Sequence, residues 1–239
     1  MEEKLLTITE AANFLDVSID TLRRWDKSGK LVATRKEGGV HRYYRLSDLE
    51  VLKSDLVQLA KDWTTDAREL PTQFYCSNSA VFQVRLSRLQ DALVQMKVAD
   101  TILSLIVAVA GEIGNNSFDH NLGNWPDVPG IFFGYDVQKR QIVLADRGLG
   151  VLKTLSRVRP ELKTHMEALH VAFTEIVSGR APEERGNGLK FVRQVATENP
   201  ISVFFRSGDA ELRLKKDNAE LIITKSSINN HGCFTIIEY

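Results

Sequence analysis

A long apolar segment that ends in a cluster of polar side chains constrains the fold of this chain more than any other feature. Residues 102–109 are apolar almost throughout, which predicts a helix over about residues 100–120 that is buried against a sheet. Glu112 and Asn116 are four residues apart near its end, so they share one helix face and can converge on one ligand. Asp119 and His120 extend the polar cluster by one turn. A solvated helix end produces the same pattern, so both interpretations stay open for this segment alone.

A second polar segment follows a strand-like run at residues 141–145. Asp146 comes directly after that run, and Gly148 and Gly150 come next. A carboxylate at the end of a buried strand lies at the edge of a cleft, and glycines allow the backbone to turn where a side chain would collide with a ligand. An ordinary turn aspartate remains the alternative for Asp146.

A third segment places glycines at the start of a predicted helix. Gly186, Asn187 and Gly188 precede the helical pattern that begins at Leu189. The free N–H groups and the dipole at a helix N-terminus favour a phosphate group, although a flexible helix start has the same composition. The preceding residues, 178–185, combine glycine, proline and charge, so Arg180, Arg185 and Lys190 are either phosphate ligands or solvated charges.

Taken in order, the three segments resemble the motifs of the GHKL ATPases. Glu112, Asn116 and Asp119 match the pattern E-x-x-x-N-x-x-D, residues 146–150 match D-x-G-x-G, and residues 186–189 match G-x-G-L. The resemblance implies ATP and Mg²⁺ as cofactors, with Asn116 as the magnesium ligand and Glu112 as the catalytic base. It also implies a mobile segment over the nucleotide between residues 151 and 185. The implied nucleotide-binding residues are Asn116, Asp119, His120, Asp146, Gly148, Gly150, Arg185, Gly186, Asn187, Gly188 and Leu189.

The N-terminal region has the pattern of a helix-turn-helix. Thr9 is the predicted cap of a short helix, and Ser18 is the predicted cap of a second helix over residues 19–27. A three-residue turn separates the two, and Gly29 is suited to end the second helix. Residues 31–34 and 41–45 predict two strands around a glycine-tipped hairpin, and Ser47 begins the capping pattern of a third helix over about residues 48–63.

This arrangement resembles the winged helix-turn-helix of MerR and excisionase proteins. Residues 9–18, 21–25, 29–31 and 38–43 carry the pattern, while Val40 and His41 depart from its compact wing. Residues 20–45 contain eight Arg and Lys against three Asp and Glu, a net charge of +5 that suits double-stranded DNA. A solvated face or a protein-docking wing is the alternative. The candidate DNA-binding residues are Ser18, Thr21, Arg23, Arg24, Lys36, Arg42 and Tyr43.

The composition is that of a globular protein, with 239 residues, 43% hydrophobic residues and a formal net charge of zero. The run at residues 102–111 is too short to span a bilayer and no signal peptide is evident, so we expect a cytoplasmic protein without membrane contact. The two isolated cysteines argue against a zinc site or disulfide framework. Apolar residues at 82, 86, 89, 93 and 96 form a heptad stripe that favours core packing, with a homodimer helix left open.

The sequence therefore predicts an α+β chain. A winged helix-turn-helix at residues 1–63 and a linker at residues 64–80 precede an ATP-binding domain at residues 81–239, built as a mixed sheet covered on one face by helices. The predicted function is DNA-binding regulation in which ATP, hydrolysed or only sensed, changes DNA binding or dimer arrangement. A serine/threonine kinase of the anti-sigma-factor type, acting on a protein partner, is the alternative.

Overall fold

The chain forms two compact units, Met1–Leu59 and Ala60–Tyr239, whereas the sequence predicts a boundary after residue 63. The computed structural model describes residues 4–15, 17–29, 31–35, 39–53, 55–66, 70–176, 188–218 and 220–239.

The first unit is a small helical domain with a two-stranded sheet. Its elements are β1 (Leu5–Thr7), α1 (Ile8–Leu15), α2 (Ile19–Ser28), β2 (Tyr43–Arg45) and α3 (Leu46–Lys53). Strands β1 and β2 pair antiparallel, and Leu22, Tyr44 and Leu49 are fully buried in the core between the helices. Gly29 ends α2 with φ of 75°, a left-handed conformation that glycine adopts without steric cost, as predicted.

Several local predictions for this unit are wrong. The carboxylate of Glu10 accepts hydrogen bonds from the backbone N–H and the hydroxyl of Thr7, so α1 begins at Ile8, one residue before the predicted cap, Thr9. The predicted hairpin is represented by a single antiparallel bridge, Thr34 to Tyr43, because β2 pairs mainly with β1. Its tip, residues 36–38, lies outside the described residues.

The predicted third helix is two helices, α3 and α4 (Leu56–Asp66). The carboxylate of Asp55 accepts a hydrogen bond from the N–H of Val57 at 2.9 Å and so begins a new helix there. Helix α4 begins in the first unit and ends in the second.

The second unit is a sheet packed against helices. Its further elements are β3 (Tyr75–Cys76), α5 (Ser79–Gln95), α6 (Asp100–Asn121), β4 (Ile131–Asp136), β5 (Gln141–Asp146), α7 (Gly150–Leu155), α8 (His165–Thr174), α9 (Gly188–Glu198), β6 (Ser202–Leu214) and β7 (Ile223–Glu238). The predicted linker therefore contains the edge strand β3, which pairs with β4.

The five strands are all antiparallel in the order β3-β4-β5-β7-β6, so the prediction of a mixed sheet is wrong. The sequence alternates as four short strands at residues 201–206, 210–215, 221–224 and 234–238, but the structure has two long strands there, β6 and β7. Residues 207–209 have the composition of a turn, yet they form an irregularity within β6, with Gly208 at φ of 59°. Strand direction has no local signature, since it depends on which distant segments pair.

Both faces of this sheet contain buried residues, although the sequence predicts a sheet that is covered on one face only. Helices α5, α6, α8 and α9 share a core with residues such as Ile142, Val203 and Phe205 on the first face. Side chains on the other face of the sheet are buried as well, namely those of Phe132, Val143, Ala145, Phe204 and Phe234. Alternating residues along a strand point to opposite faces, so apolar runs such as 142–145 indicate a strand enclosed on two sides.

Helix α6 is the central helix of the unit. It has the length and composition of a membrane-spanning helix, but eight of its residues, including Ile106, Val109 and Ile113, are buried within the protein. The heptad stripe of α5 is also used in this core, where Phe82, Leu86, Leu89 and Leu93 are buried, while Met96 is exposed. The stripe thus packs internally, as the sequence analysis favours.

Candidate functional site

A cavity in the second unit is lined by residues from segments that are far apart in the sequence. Its walls come from the end of α6, the end of β5, α7, α8, the start of α9, β6 and β7. The lining residues are Ile113, Asn116, Ser117, His120, Asn121, Asp146, Gly150, Val151, Thr154, Leu155, Ala172, Gly188, Leu189, Phe205 and Cys233.

Helix α6 presents one polar face to this cavity. Asn116 and His120 line it as predicted for ligand contact, together with Ser117 and Asn121, which the sequence analysis did not select. Asp119 is exposed and does not line the cavity, although its spacing from Glu112 and Asn116 places it near their face of the helix.

Glu112 lies beside the start of α9. A Cβ atom on Gly188 would be 1.8 Å from Glu112 Oε1, so a side chain at position 188 would displace the carboxylate from its present position. Glu112, the predicted base, is thus in direct contact with Gly188, the second glycine of the third motif. Glu112 is half-buried and is not itself a lining residue of the cavity.

Asp146 is a buried carboxylate in the cavity wall. It is 1% exposed at the end of β5, and burial raises its pKa to about 6 although hydrogen bonds from Ser117, Gly148 and Cys233 oppose that rise. Ser117 donates its hydroxyl to Oδ2 at 2.7 Å, and Gly148 donates its N–H to Oδ1 at 2.8 Å. These donors fix the orientation of a carboxylate that is mainly ionised at neutral pH and can accept a further hydrogen bond.

The glycine loop after Asp146 is held by two side chains from other elements. Asn121 accepts from the N–H of Leu149 at 2.7 Å, and a Cβ on Gly148 would be 2.1 Å from its amide nitrogen. Ser207 of β6 accepts from the N–H of Val151 at 2.9 Å. Gly148 therefore allows the loop to approach α6 closely. The sequence predicts that this glycine avoids a collision with a ligand, whereas in the structure it avoids a collision with Asn121.

The third motif is described only in part. Gly188 and Leu189 line the cavity at the start of α9, while Arg180, Arg185, Gly186 and Asn187 lie outside the described residues.

Strand β7 contributes two residues that sequence reasoning missed. Gly232 lies so close to Asp146 that a Cβ would be 2.3 Å from Oδ1. The next residue, Cys233, lines the cavity, and its pKa is raised well above the usual range by burial and by the neighbouring charge of Asp146. The Gly-Cys pair in an otherwise strand-like run was the available signal, since glycine inside a strand indicates a close approach.

Arg147 follows the cavity residue Asp146 and makes several hydrogen bonds, and the sequence analysis did not select it. It is 6% exposed, donates from Nε to Asp127 at 2.8 Å, and donates from Nη1 to the carbonyls of Trp63 and Thr64 at 2.8 and 2.7 Å. Its Nη2 contacts the same Asp127 carboxylate. The arginine between Asp146 and Gly148 was a signal that this position is unusual. The neighbouring sequence does not identify Asp127, Trp63 and Thr64 as its partners.

In the first unit, several predicted DNA-binding residues have structural contacts. Ser18 caps α2 by accepting from the N–H of Thr21 at 3.1 Å, and its hydroxyl also bonds that of Thr21. Arg42 Nε donates to Asp26 at 2.6 Å. Burial raises the pKa of Asp26, but bonds from Ala33 and Arg42 outweigh it and lower that pKa overall.

The remaining candidates form a surface on and beside α2. Arg23 and Arg24 are exposed, with Arg23 bonded to Asp20 at 2.9 Å across one helical turn, and Tyr43 is partly exposed on β2. Lys36 lies outside the described residues. Of the charged candidates that the structure describes, Arg23 and Arg24 are therefore the ones whose side chains are exposed.

Comparison with known proteins agrees with the architecture of the first unit. Residues 5–55 match the family of helix-turn-helix domains, so this part of the chain is a helix-turn-helix domain. The chain is also 31% identical over 68 residues to the type II methyltransferase M.Eco47II of Escherichia coli. That similarity covers 28% of this chain and 16% of the methyltransferase.

Proposed function

We propose that this protein is a DNA-binding regulator whose second unit binds ATP with Mg²⁺ as GHKL ATPases do, and whose DNA binding responds to the nucleotide. The observation that carries this proposal is the single cavity lined by all three motifs, through Asn116, Asp146, Gly150 and Gly188. Unrelated polar segments would have no reason to meet at one cavity.

The chemistry of the cavity suits a purine nucleotide. Asp146 offers an oriented carboxylate that can accept a hydrogen bond from an exocyclic amine, and Val151, Leu155 and Phe205 supply apolar walls for a ring. The N-terminus of α9 borders the same space, where free N–H groups favour phosphate oxygens.

Magnesium fits this set of residues. Among the described residues there is no group of three or more His, Cys, Asp or Glu that could hold a metal alone. Mg²⁺ commonly takes one or two protein oxygens and completes its shell with phosphates and waters, so the Asn116 amide oxygen is a suitable single ligand. When bound, the metal would neutralise phosphate charge.

Glu112 is the proposed base for hydrolysis. Its contact with Gly188 holds the carboxylate at the helix start where phosphate is expected. The similarity to the methyltransferase covers too little of that enzyme to support methyl transfer by this chain.

The test is calorimetric titration of Mg²⁺ and ATP into the wild type, Asp146→Asn and Glu112→Gln. We expect the wild type to bind, Asp146→Asn to lose at least about tenfold in affinity because the amine loses its acceptor, and Glu112→Gln to bind normally without turnover. Asp136→Asn, at the opposite end of the β4-β5 hairpin, is the matched control. A wild type that binds no ATP contradicts the proposal, and a wild type that binds without turnover restricts it to ATP sensing.

A further inference from the structure

We infer that Arg147 is a positioning residue that joins the cavity to the C-terminal end of α4. A ligand in the cavity and an ordered last turn of α4 then stabilise each other. The inference rests on the proposed function, because it concerns the regulation of the same site.

The first observation is the position of Arg147 in the chain. It stands between Asp146, whose carboxylate forms the cavity wall, and Gly148, whose N–H holds that carboxylate in place. A ligand that moves the Asp146 backbone by a fraction of an ångström therefore moves the backbone of Arg147 with it.

The second observation is where the guanidinium goes. It donates to the carbonyls of Trp63 and Thr64 in the last turn of α4, and these two residues are each 2% exposed. Carbonyls in the last turn of a helix lack partners within the helix and carry the negative end of its dipole, so a cation there stabilises the turn. The end of α4 is thus held by a side chain from the cavity wall.

The third observation is that Arg147 cannot easily leave these partners. Its side chain is 7% exposed and its charge is matched by Asp127, so moving it away would leave a buried cation or carbonyls unpaired. A planar guanidinium can bond Asp127 and the two carbonyls together, whereas a lysine ammonium cannot reproduce that geometry. A second contact holds the same turn, since Asn230 of β7 donates to the Thr64 hydroxyl at 3.4 Å.

Helix α4 begins at Leu56 in the first unit and ends at Asp66 in the second. It is the segment of chain that continues from the helix-turn-helix unit to the unit that contains the cavity. A change in the order of its last turn is therefore a physical route by which the nucleotide could alter DNA binding.

The experiment is hydrogen exchange of backbone amides in the last turn of α4, measured with and without Mg²⁺ and a non-hydrolysable ATP analogue. In the wild type we expect the analogue to slow this exchange by about threefold or more. Arg147→Lys should still bind the analogue through Asp146 but lose that response. Arg159→Lys should respond as the wild type does, because the hydrogen bonds of Arg159 go to Glu161 and Glu175 and not to α4.

The outcomes separate this inference from the proposed function. A merely structural role for Arg147 would lower stability yet leave the response to the analogue intact, and that result overturns the inference. So does a wild type that binds the analogue without any change in α4. A wild type that binds no analogue removes the proposed function and this inference together. If Arg147→Lys does not fold, Asp127→Asn replaces it in the experiment. An unchanged response to the analogue in that variant also overturns the inference.

Discussion

At the scale of single residues, Asp146 shows how a binding group can lower the stability of the protein that contains it. Its carboxylate is almost fully buried, and burial raises its pKa from 3.8 to about 6. The folded state therefore holds a proton on Asp146 more tightly than the unfolded state does. Stability falls as pH rises from about 4 to about 6, and the full cost is present at neutral pH.

Asp146→Asn should consequently stabilise the free protein at pH 7.5 by about 1 to 3 kcal/mol, since one pKa unit corresponds to about 1.4 kcal/mol. An asparagine can accept from Gly148 and donate to Ser117, so both hydrogen bonds can be retained. Urea unfolding at several pH values measures the effect, with the difference from the wild type vanishing below about pH 4. Asp136→Asn is again the control, and a less stable Asp146→Asn at pH 7.5 would be contrary.

Single residues also show where prediction from sequence ends. Asp146, Asn116 and Gly188 carry recognisable motifs, whereas Ser117, Asn121, Ser207 and Cys233 do not. Ser117 and Asn121 reach the cavity and its loop because α6 packs beside the end of β5, and Ser207 and Cys233 do so because β7 pairs with β5 and β6 pairs with β7. Their roles depend on residues more than 25 positions away, which no local pattern encodes.

At the scale of elements, α2 combines residues that hold the helix with residues that face solvent. Ser18 caps its first turn, and Asp26 near its end accepts from Ala33, Arg35 and Arg42. Arg24 is exposed on the same helix. The sequence pattern selected Ser18 and Arg24 alike for DNA binding, but in the structure Ser18 caps the first turn of α2, whereas the Arg24 side chain is exposed.

The two roles on α2 are separable by substitution. Ser18→Ala should cost about 1 kcal/mol of stability through loss of the cap. Arg24→Ala should leave the melting temperature unchanged but weaken binding to duplex DNA and reduce the salt slope by about one. Thermal unfolding and fluorescence anisotropy at several salt concentrations measure these effects. Lys139→Ala, which removes an exposed charge from the second unit, is the control, and an equal loss of DNA affinity there would argue against a specific role for Arg24.

Helix α6 and the sheet differ in how well the sequence predicted them. The helix was predicted because its apolar run is long and its polar residues recur at helical spacing. The number and direction of the strands after residue 200 were not predicted correctly. One reason is that a bulge in β6 resembles a turn in the sequence. A glycine at positive φ inside a strand and a glycine in a hairpin have the same local chemistry.

At the scale of the whole molecule, the proposal requires that ATP and DNA influence each other. Binding at one site can alter another only if the ligand favours one of two arrangements of the chain, and the effect must then be reciprocal. The connection of α4 to Arg147 is the described contact that could carry such coupling.

We expect saturating ATP with Mg²⁺ to change DNA affinity by about fivefold or more at fixed salt. DNA should change the affinity for ATP by the same factor, which calorimetry on the same sample checks. At an ATP concentration that only the wild type binds appreciably, Asp146→Asn should show no change in DNA affinity while retaining the DNA affinity of the free wild type. Equal DNA affinity with and without bound ATP would exclude nucleotide regulation of DNA binding.

The sequence by itself determined the helix-turn-helix, the central apolar helix and the three polar motifs, because these depend on residue type and on spacings of a few positions. Tertiary structure alone decided that the motifs meet at one cavity, that the sheet is antiparallel, and that Arg147 reaches α4. Those features depend on which distant segments pack together. Packing is settled by the free energy of burying the whole core and of pairing buried polar groups, and no short stretch of sequence contains that information.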